Sequence, residues 1–141
     1  MLVRGPALVK RRFRVLQALG AVMSAGGFKL DTDPDTVREP DVAFVRRERI
    51  PEAGVPDGLW PGPPDPAVEI RSPGDRSSEI REKVDEYLAL GVRLEWVADS
   101  KARTLTVHRP ASAPRTLDTH GVLNGGEIVT VFSCPVRRTF E

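Results

Sequence analysis

The sequence predicts an α/β protein: one mixed sheet flanked by helices in a layered domain. Three observations lead there. The chain has 141 residues, the size of one ordinary domain with its own core. Its hydrophobic share is 40% and its charged share 29%, both usual for a globular chain. Its apolar patterning runs strand, strand, helix, strand, strand, which is a mixed α/β arrangement.

The elements follow in order. Residues 6–23 (PALVKRRFRVLQALGAVM) have apolar side chains at Leu8, Val15, Leu16, Leu19 and Val22, which predicts an amphipathic helix stopped by Gly26-Gly27. "GFKL" is a short strand, and "DTDPDT" at 31–36 is turn chemistry throughout. "DVAFV" at 41–45 is a strand that begins after Pro40. Residues 51–66 hold Pro51, Pro56, Pro61, Pro63, Pro64 and Pro66, so the segment reads as a loop. "AVEI" at 67–70 is the next strand, broken by Ser72-Pro73-Gly74-Asp75. Ser77 or Ser78 can cap a helix from about Glu79 to Leu90, and Gly91 ends it as a C′ glycine. "RLEWVAD", "SKAR" and "TLTVHR" predict a β-hairpin over 93–109, and "GEIVTVF" a last short strand or turn.

Several function classes drop out. Net charge is +1, so no overall basic excess points to nucleic acid. The one local cluster is Arg4, Lys10, Arg11, Arg12 and Arg14, which ordinarily is a solvated helix face. Cys134 is the only cysteine, which fits a reducing cytoplasm and excludes an internal disulfide. His108 and His120 lack metal-ligand spacing, and no P-loop or G-x-S-x-G elbow occurs. No apolar run is long enough to span a membrane, and the N-terminus lacks the pattern of a signal peptide.

Glu69 is the anomaly. It stands inside the otherwise buried run Ala67-Val68-Glu69-Ile70. A buried carboxylate needs a cation, hydrogen bonds or a metal. If the Asp41 and Glu69 strands pair, their carboxylates can converge at one edge of the sheet. Mg²⁺ suits two such oxygen ligands, completed by waters and a substrate phosphate. Lys83, on the following helix, could then orient a metal-bound water and offset charge in a phosphoryl transition state. Each residue also has a plainer role. Asp41 could simply open a strand, Glu69 could pair with Arg71 or Arg93, and Lys83 has Glu79 at i−4.

"REPDVAFVRRERIP" and "PGPPDPAVEIRSPGDRSSEIREKVDEYLALGVRLEWVADSKARTLTVHRP" resemble the Uma-type (Uma-two) restriction endonuclease family of the PD-(D/E)XK nuclease superfamily. The pattern consists of Pro-Asp opening a strand, a Pro-rich loop, V-E-I-x-S-P, a helix with K-x-x-x-Y, G-V, and a strand ending W-V-x-D. The resemblance covers about residues 27–141. It implies a restriction-endonuclease-like fold, N-terminally shortened, since the acidic segment with which members usually begin is not visible. It also implies Asp41 and Glu69 as metal ligands, with the Ile70 backbone carbonyl as a further one. The superfamily's E-x-K lysine would fall at Arg71; in this family its role is moved to the next helix, matching Lys83. Tyr87, one turn after Lys83, faces the same side and reads first as a core aromatic.

The resulting expectation is a single-domain, cytoplasmic, Mg²⁺-dependent endonuclease acting on DNA, with Mn²⁺ as an alternative ion. Asp41, Glu69 and Lys83 would be catalytic. Arg46, Arg47, Arg71, Arg76 and the N-terminal cluster would contact the DNA backbone. A sheet edge left open by the shortened N-terminus favours a homodimer. The rival is an inactive nuclease-fold module that binds nucleic acid or a protein.

Overall fold

The computed structural model describes residues 6–23 and 27–141, with the side chains of Pro6 and Val15 left aside. Arg4 of the basic cluster and Gly26 lie outside the described residues. The chain begins with α1 (Pro6–Arg12) and a 3-10 turn (Phe13–Ala18), then β1 (Gly20–Met23), β2 (Phe28–Asp31), β3 (Thr36–Arg38) and β4 (Val42–Arg46). After a second 3-10 turn (Arg47–Arg49) come β5 (Trp60–Pro61), β6 (Pro66–Arg71), α2 (Ser77–Ala89), β7 (Leu94–Asp99) and β8 (Thr104–His108). The chain closes with β9 (Arg115–Leu117), β10 (Val122–Gly125), β11 (Val129–Pro135) and α3 (Val136–Thr139).

A 6-stranded mixed sheet in the order β1-β4-β6-β7-β8-β9 organises the molecule. β6 and β7 are parallel, joined through α2, and the other pairings are antiparallel. β10 and β11 form a separate hairpin, and β3-β2-β5 a small 3-stranded sheet. β6 and β7 are buried along nearly their whole length, as central strands covered on both faces should be.

Alternation along these strands divides the core in two. One face carries Val42, Phe44, Val68, Ile70, Leu94, Trp96 and Leu105 and packs against Val9, Phe13 and Leu16, with Leu123, Val129, Phe132 and Val136 closing it. There Trp96 stacks between Phe13 and Phe132, with ring centroids 5.8 Å and 5.4 Å away. The opposite face carries Ala43, Val45 and Ala67 and packs against Phe28, Leu30, Trp60, Tyr87 and Val92.

Two expectations change. The helix expected over 6–23 stops after two turns, and residues 20–23 form β1 on the edge of the main sheet. Gly20 makes this possible: a Cβ there would lie 2.3 Å from the Val45 carbonyl oxygen, so only a bare backbone can approach β4 so closely. Neither serine caps α2. Arg76 occupies the N-cap position with extended backbone and no side-chain cap, while the Ser77 hydroxyl accepts a hydrogen bond from Arg71 Nη2 at 2.9 Å. The helix begins at Ser77, so both serines stand inside its first turn and not at the N-cap. Gly91 does close α2 as expected, with φ +101.

Candidate active site

The site forms where β4 and β6 part. Their ladder pairs Val42 with Val68 and Ala43 with Ala67. Continued by one residue, that register sets Asp41 opposite Glu69, on the α2 face of the sheet. The ladder has ended there, and Asp41 replaces the missing strand bond: its Oδ2 accepts the Ile70 amide at 2.7 Å. In an extended residue the N–H and C=O leave on the same edge, so the Ile70 carbonyl also faces the Asp41 side. Asp41 and Glu69 thus lie together, and their mutual repulsion acts on Glu69.

Glu69 is 3% exposed. Its Oε2 lies 3.8 Å from Lys83 Nζ, while its Oε1 is buried and has no hydrogen-bond partner among the described residues. Burial and the neighbouring Asp41 charge push the Glu69 carboxyl from 4.5 up to about 7, against the pull of Lys83 and of a hydrogen bond from Tyr87. Lys83 comes from the middle of α2 with its side chain 58% exposed, so its ammonium meets Glu69 from the solvent side. The structure therefore joins Lys83 to Glu69 in place of the i−4 pairing with Glu79. Glu69 is bridged neither to Arg71 nor to Arg93 among the described residues. Tyr87 is buried in the core on this face, beside Glu69. Burial and the surrounding carboxylates raise its phenol well above the usual range.

Glu95 was missed by sequence reasoning. It is 0% exposed, and neither of its carboxylate oxygens has a partner among the described residues. It sits on β7, registered beside Ala67 of β6, so it shares the α2 face with Glu69, one pleat deeper. Burial, then Glu69 and Asp41, push its carboxyl well above the usual range, and Lys83 opposes them. The signal was present in "RLEWVAD": a carboxylate inside a run covered on both faces, the same anomaly that singled out Glu69.

The proposed backbone-contacting arginines are differently placed. Arg46 is 3.4 Å from Asp65, and its amide donates to the same carboxylate at 2.7 Å. Arg47 donates to the Ala18 carbonyl at 2.7 Å, tying the β4 end to the 3-10 turn. Arg71 reaches Ser77 and, at 3.9 Å, Asp99. Arg76 is exposed at the start of α2. Arg71 also lines a cleft of about 400 Å³ on the other flank of α2, with Arg81, His108, Thr104, Thr106 and Thr116.

The donor set suits a hard divalent ion: two carboxylates and a backbone carbonyl, all oxygen, with one buried oxygen left unsatisfied. Among the described residues no three His, Cys, Asp or Glu side chains gather to hold a metal. Two protein carboxylates are what Mg²⁺ commonly takes, the rest being water and phosphate.

The six-stranded mixed sheet flanked by helices is a nuclease-like α/β architecture. The chain matches the Uma-two family model, described as "Putative restriction endonuclease", over residues 7–137, and it belongs to that family. The match starts further toward the N-terminus than the resemblance read from about residue 27, so α1 and β1 are part of the family's pattern. A crystal structure described as a putative nuclease belonging to DUF820 from Anabaena variabilis is similar in fold, with a TM-score of 0.80 and 17% identity, over 99% of this chain and 83% of that chain. No curated protein matches. No helix among the described residues is long and apolar enough to cross a membrane.

Proposed function

We propose that the protein is a Mg²⁺-dependent endonuclease that hydrolyses phosphodiester bonds of DNA. The observation that supports this best is the facing pair Asp41 and Glu69, with Glu69 Oε1 buried and without a partner among the described residues and Oε2 3.8 Å from the Lys83 ammonium. Asp41, Glu69 and the Ile70 carbonyl would hold Mg²⁺, or Mn²⁺ in its place. When bound, such an ion stabilises charge on the phosphate and acidifies a water.

The chain's own groups have distinct tasks. The Ile70 amide fixes Asp41 in place, and Tyr87 is buried beside Glu69. Lys83 approaches from the open side, where it donates N–H bonds to the attacking water or to a phosphate oxygen. Arg71 and Arg76, with Lys10, Arg11 and Arg14 of the N-terminal cluster, are suited to hold the DNA backbone. Arg46 and Arg47 would do so only with the nitrogens left free of Asp65 and Ala18. The lone, half-buried Cys134 suits a reducing cytoplasm. The outer strands β1 and β9 offer edges on which a second copy could pair, so a homodimer belongs to the same reading.

The test is incubation of plasmid DNA and a matched RNA with Mg²⁺, Mn²⁺ or EDTA, beside Asp41→Ala. Cleavage of DNA that needs the ion and is lost in Asp41→Ala is expected. Cleavage that survives in Asp41→Ala removes the site. Binding without cleavage by the parent protein would favour the inactive module.

A further inference from the structure

Glu95 has no task in the scheme above, yet its placement is costly. A carboxylate fully removed from water, with neither oxygen bonded among the described residues, lowers stability whether it stays charged or takes up a proton. Packing does not account for it, since methionine has similar volume and no such cost. Its electrostatic surroundings are the site itself: Glu69 and Asp41 as like charges and Lys83 as the cation. Ala67, its registered neighbour on β6, places Glu95 on the same face as Glu69, two residues along the strand.

Lys83 has a complementary problem. In this structure its ammonium rests 3.8 Å from Glu69. A divalent ion on Asp41 and Glu69 would take that carboxylate and repel the ammonium. The lysine then needs another acceptor, or it swings into solvent, where its side chain is already 58% exposed. Among the described residues, the unpartnered carboxylate oxygens on this face are Glu69 Oε1, which the ion would engage, and both oxygens of Glu95.

We propose that Glu95 is a positioning residue for Lys83, its buried oxygens accepting N–H bonds from the ammonium when Glu69 is engaged by its ion. The inference rests on the metal-dependent reading. A carbonyl oxygen accepts such a bond in either protonation state of Glu95, so the role does not depend on titration. It separates two functions on one face: Asp41 and Glu69 hold the ion, and Glu95 keeps the lysine over it.

The test compares Glu95→Met, which removes the acceptor, with Glu95→Gln, which keeps one. Glu95→Met should melt at or above the parent temperature without metal and should bind Mg²⁺ within a few-fold of the parent by calorimetry. Its kcat should fall by about 10²-fold with KM little changed, the scale of a misplaced catalytic group. Glu95→Gln should recover most of that loss, and Glu95→Met should cost nothing further in a Lys83→Ala background. An independent readout needs no substrate: after reductive ¹³C-methylation of the lysines, the Lys83 resonance should stay immobilised on Mg²⁺ addition in the parent and take its free-solvent position in Glu95→Met. Parental cleavage by Glu95→Met, an equal loss in the Lys83→Ala background, or identical Lys83 resonances in parent and variant would overturn the proposal. Absence of any Mg²⁺ binding by the parent overturns the metal reading itself, and calorimetry tells that failure apart.

Discussion

The two faces of the central sheet are made by the same strands and do opposite things. On the α1 face, Val68, Ile70 and Trp96 are buried among apolar neighbours, and Trp96 is stacked on both sides. On the α2 face, the alternate residues of those strands include Glu69 and Glu95, buried with three oxygens between them that have no partner among the described residues. One face supplies stability by removing apolar area from water. The other gives stability up to keep carboxylates dry, where an incoming cation is held far more strongly than at the surface. A residue's parity along β6 or β7 therefore decides which kind of contribution it makes.

Substitutions on the two faces break or sharpen that contrast. Trp96→Ala opens a cavity between Phe13 and Phe132 and should cost about 3–5 kcal/mol in chemical denaturation. A loss under 1 kcal/mol would mean that the α1 face is not the stabilising one. Lys83→Ala should leave the fold and the metal affinity nearly intact while lowering cleavage by about 10²–10⁴-fold, because the loss falls on the transition state. Cleavage by Lys83→Ala at the parent rate would reduce the lysine to a surface charge.

The smallest effect concerns pH. The Glu69 carboxyl sits near about 7 in the fold against 4.5 ordinarily. Between those values the folded protein holds more protons than the unfolded chain, so stability falls as pH rises. The fully buried Glu95 carboxyl, raised by the same cause, acts in the same direction. The metal-free protein should thus melt higher at pH 5 than at pH 7, by roughly 1–3 kcal/mol at most. Glu69→Gln should flatten that slope, and saturating Mg²⁺ should oppose it by favouring the ionised carboxylates. A metal-free melting temperature that rises with pH over this interval would contradict the burial of unpaired carboxylates.

Much of this contrast is legible in the sequence, through one kind of signal. A carboxylate within a run that otherwise reads as buried strand marks Glu69, and Asp41 follows from its place at the start of the neighbouring strand. Lys83 follows from helical spacing, since Ile80, Val84, Tyr87 and Leu88 read as the inward stripe and leave it on the border; the fold buries Val84 and Tyr87 of these. Glu95 carries the same mark as Glu69 but stands next to Trp96, where an aromatic anchor makes a strand look fully explained. Other features depend on partners distant in sequence. Gly20 resembles a helix-ending glycine until β4 lies against it, and Ser77 resembles a cap until it is seen inside the first turn, bonded by Arg71. Arg46 and Arg47 resemble free cations until Asp65 and Ala18 are seen beside them. Local pattern gives elements and anomalies, whereas long-range pairing decides which polar groups remain free.

The most direct test of the central claim is isothermal titration of the metal-free protein with Mg²⁺ and Mn²⁺, run in parallel on Glu69→Gln. The account predicts one divalent site per chain in the parent and none in the variant. The variant should also be as stable as the parent without metal, or slightly more stable, because a buried charge repelled by Asp41 has been removed. Binding that persists in Glu69→Gln, or a metal-free variant that loses several kcal/mol of stability, would contradict it, since the second outcome would make Glu69 one half of a structural ion pair with Lys83.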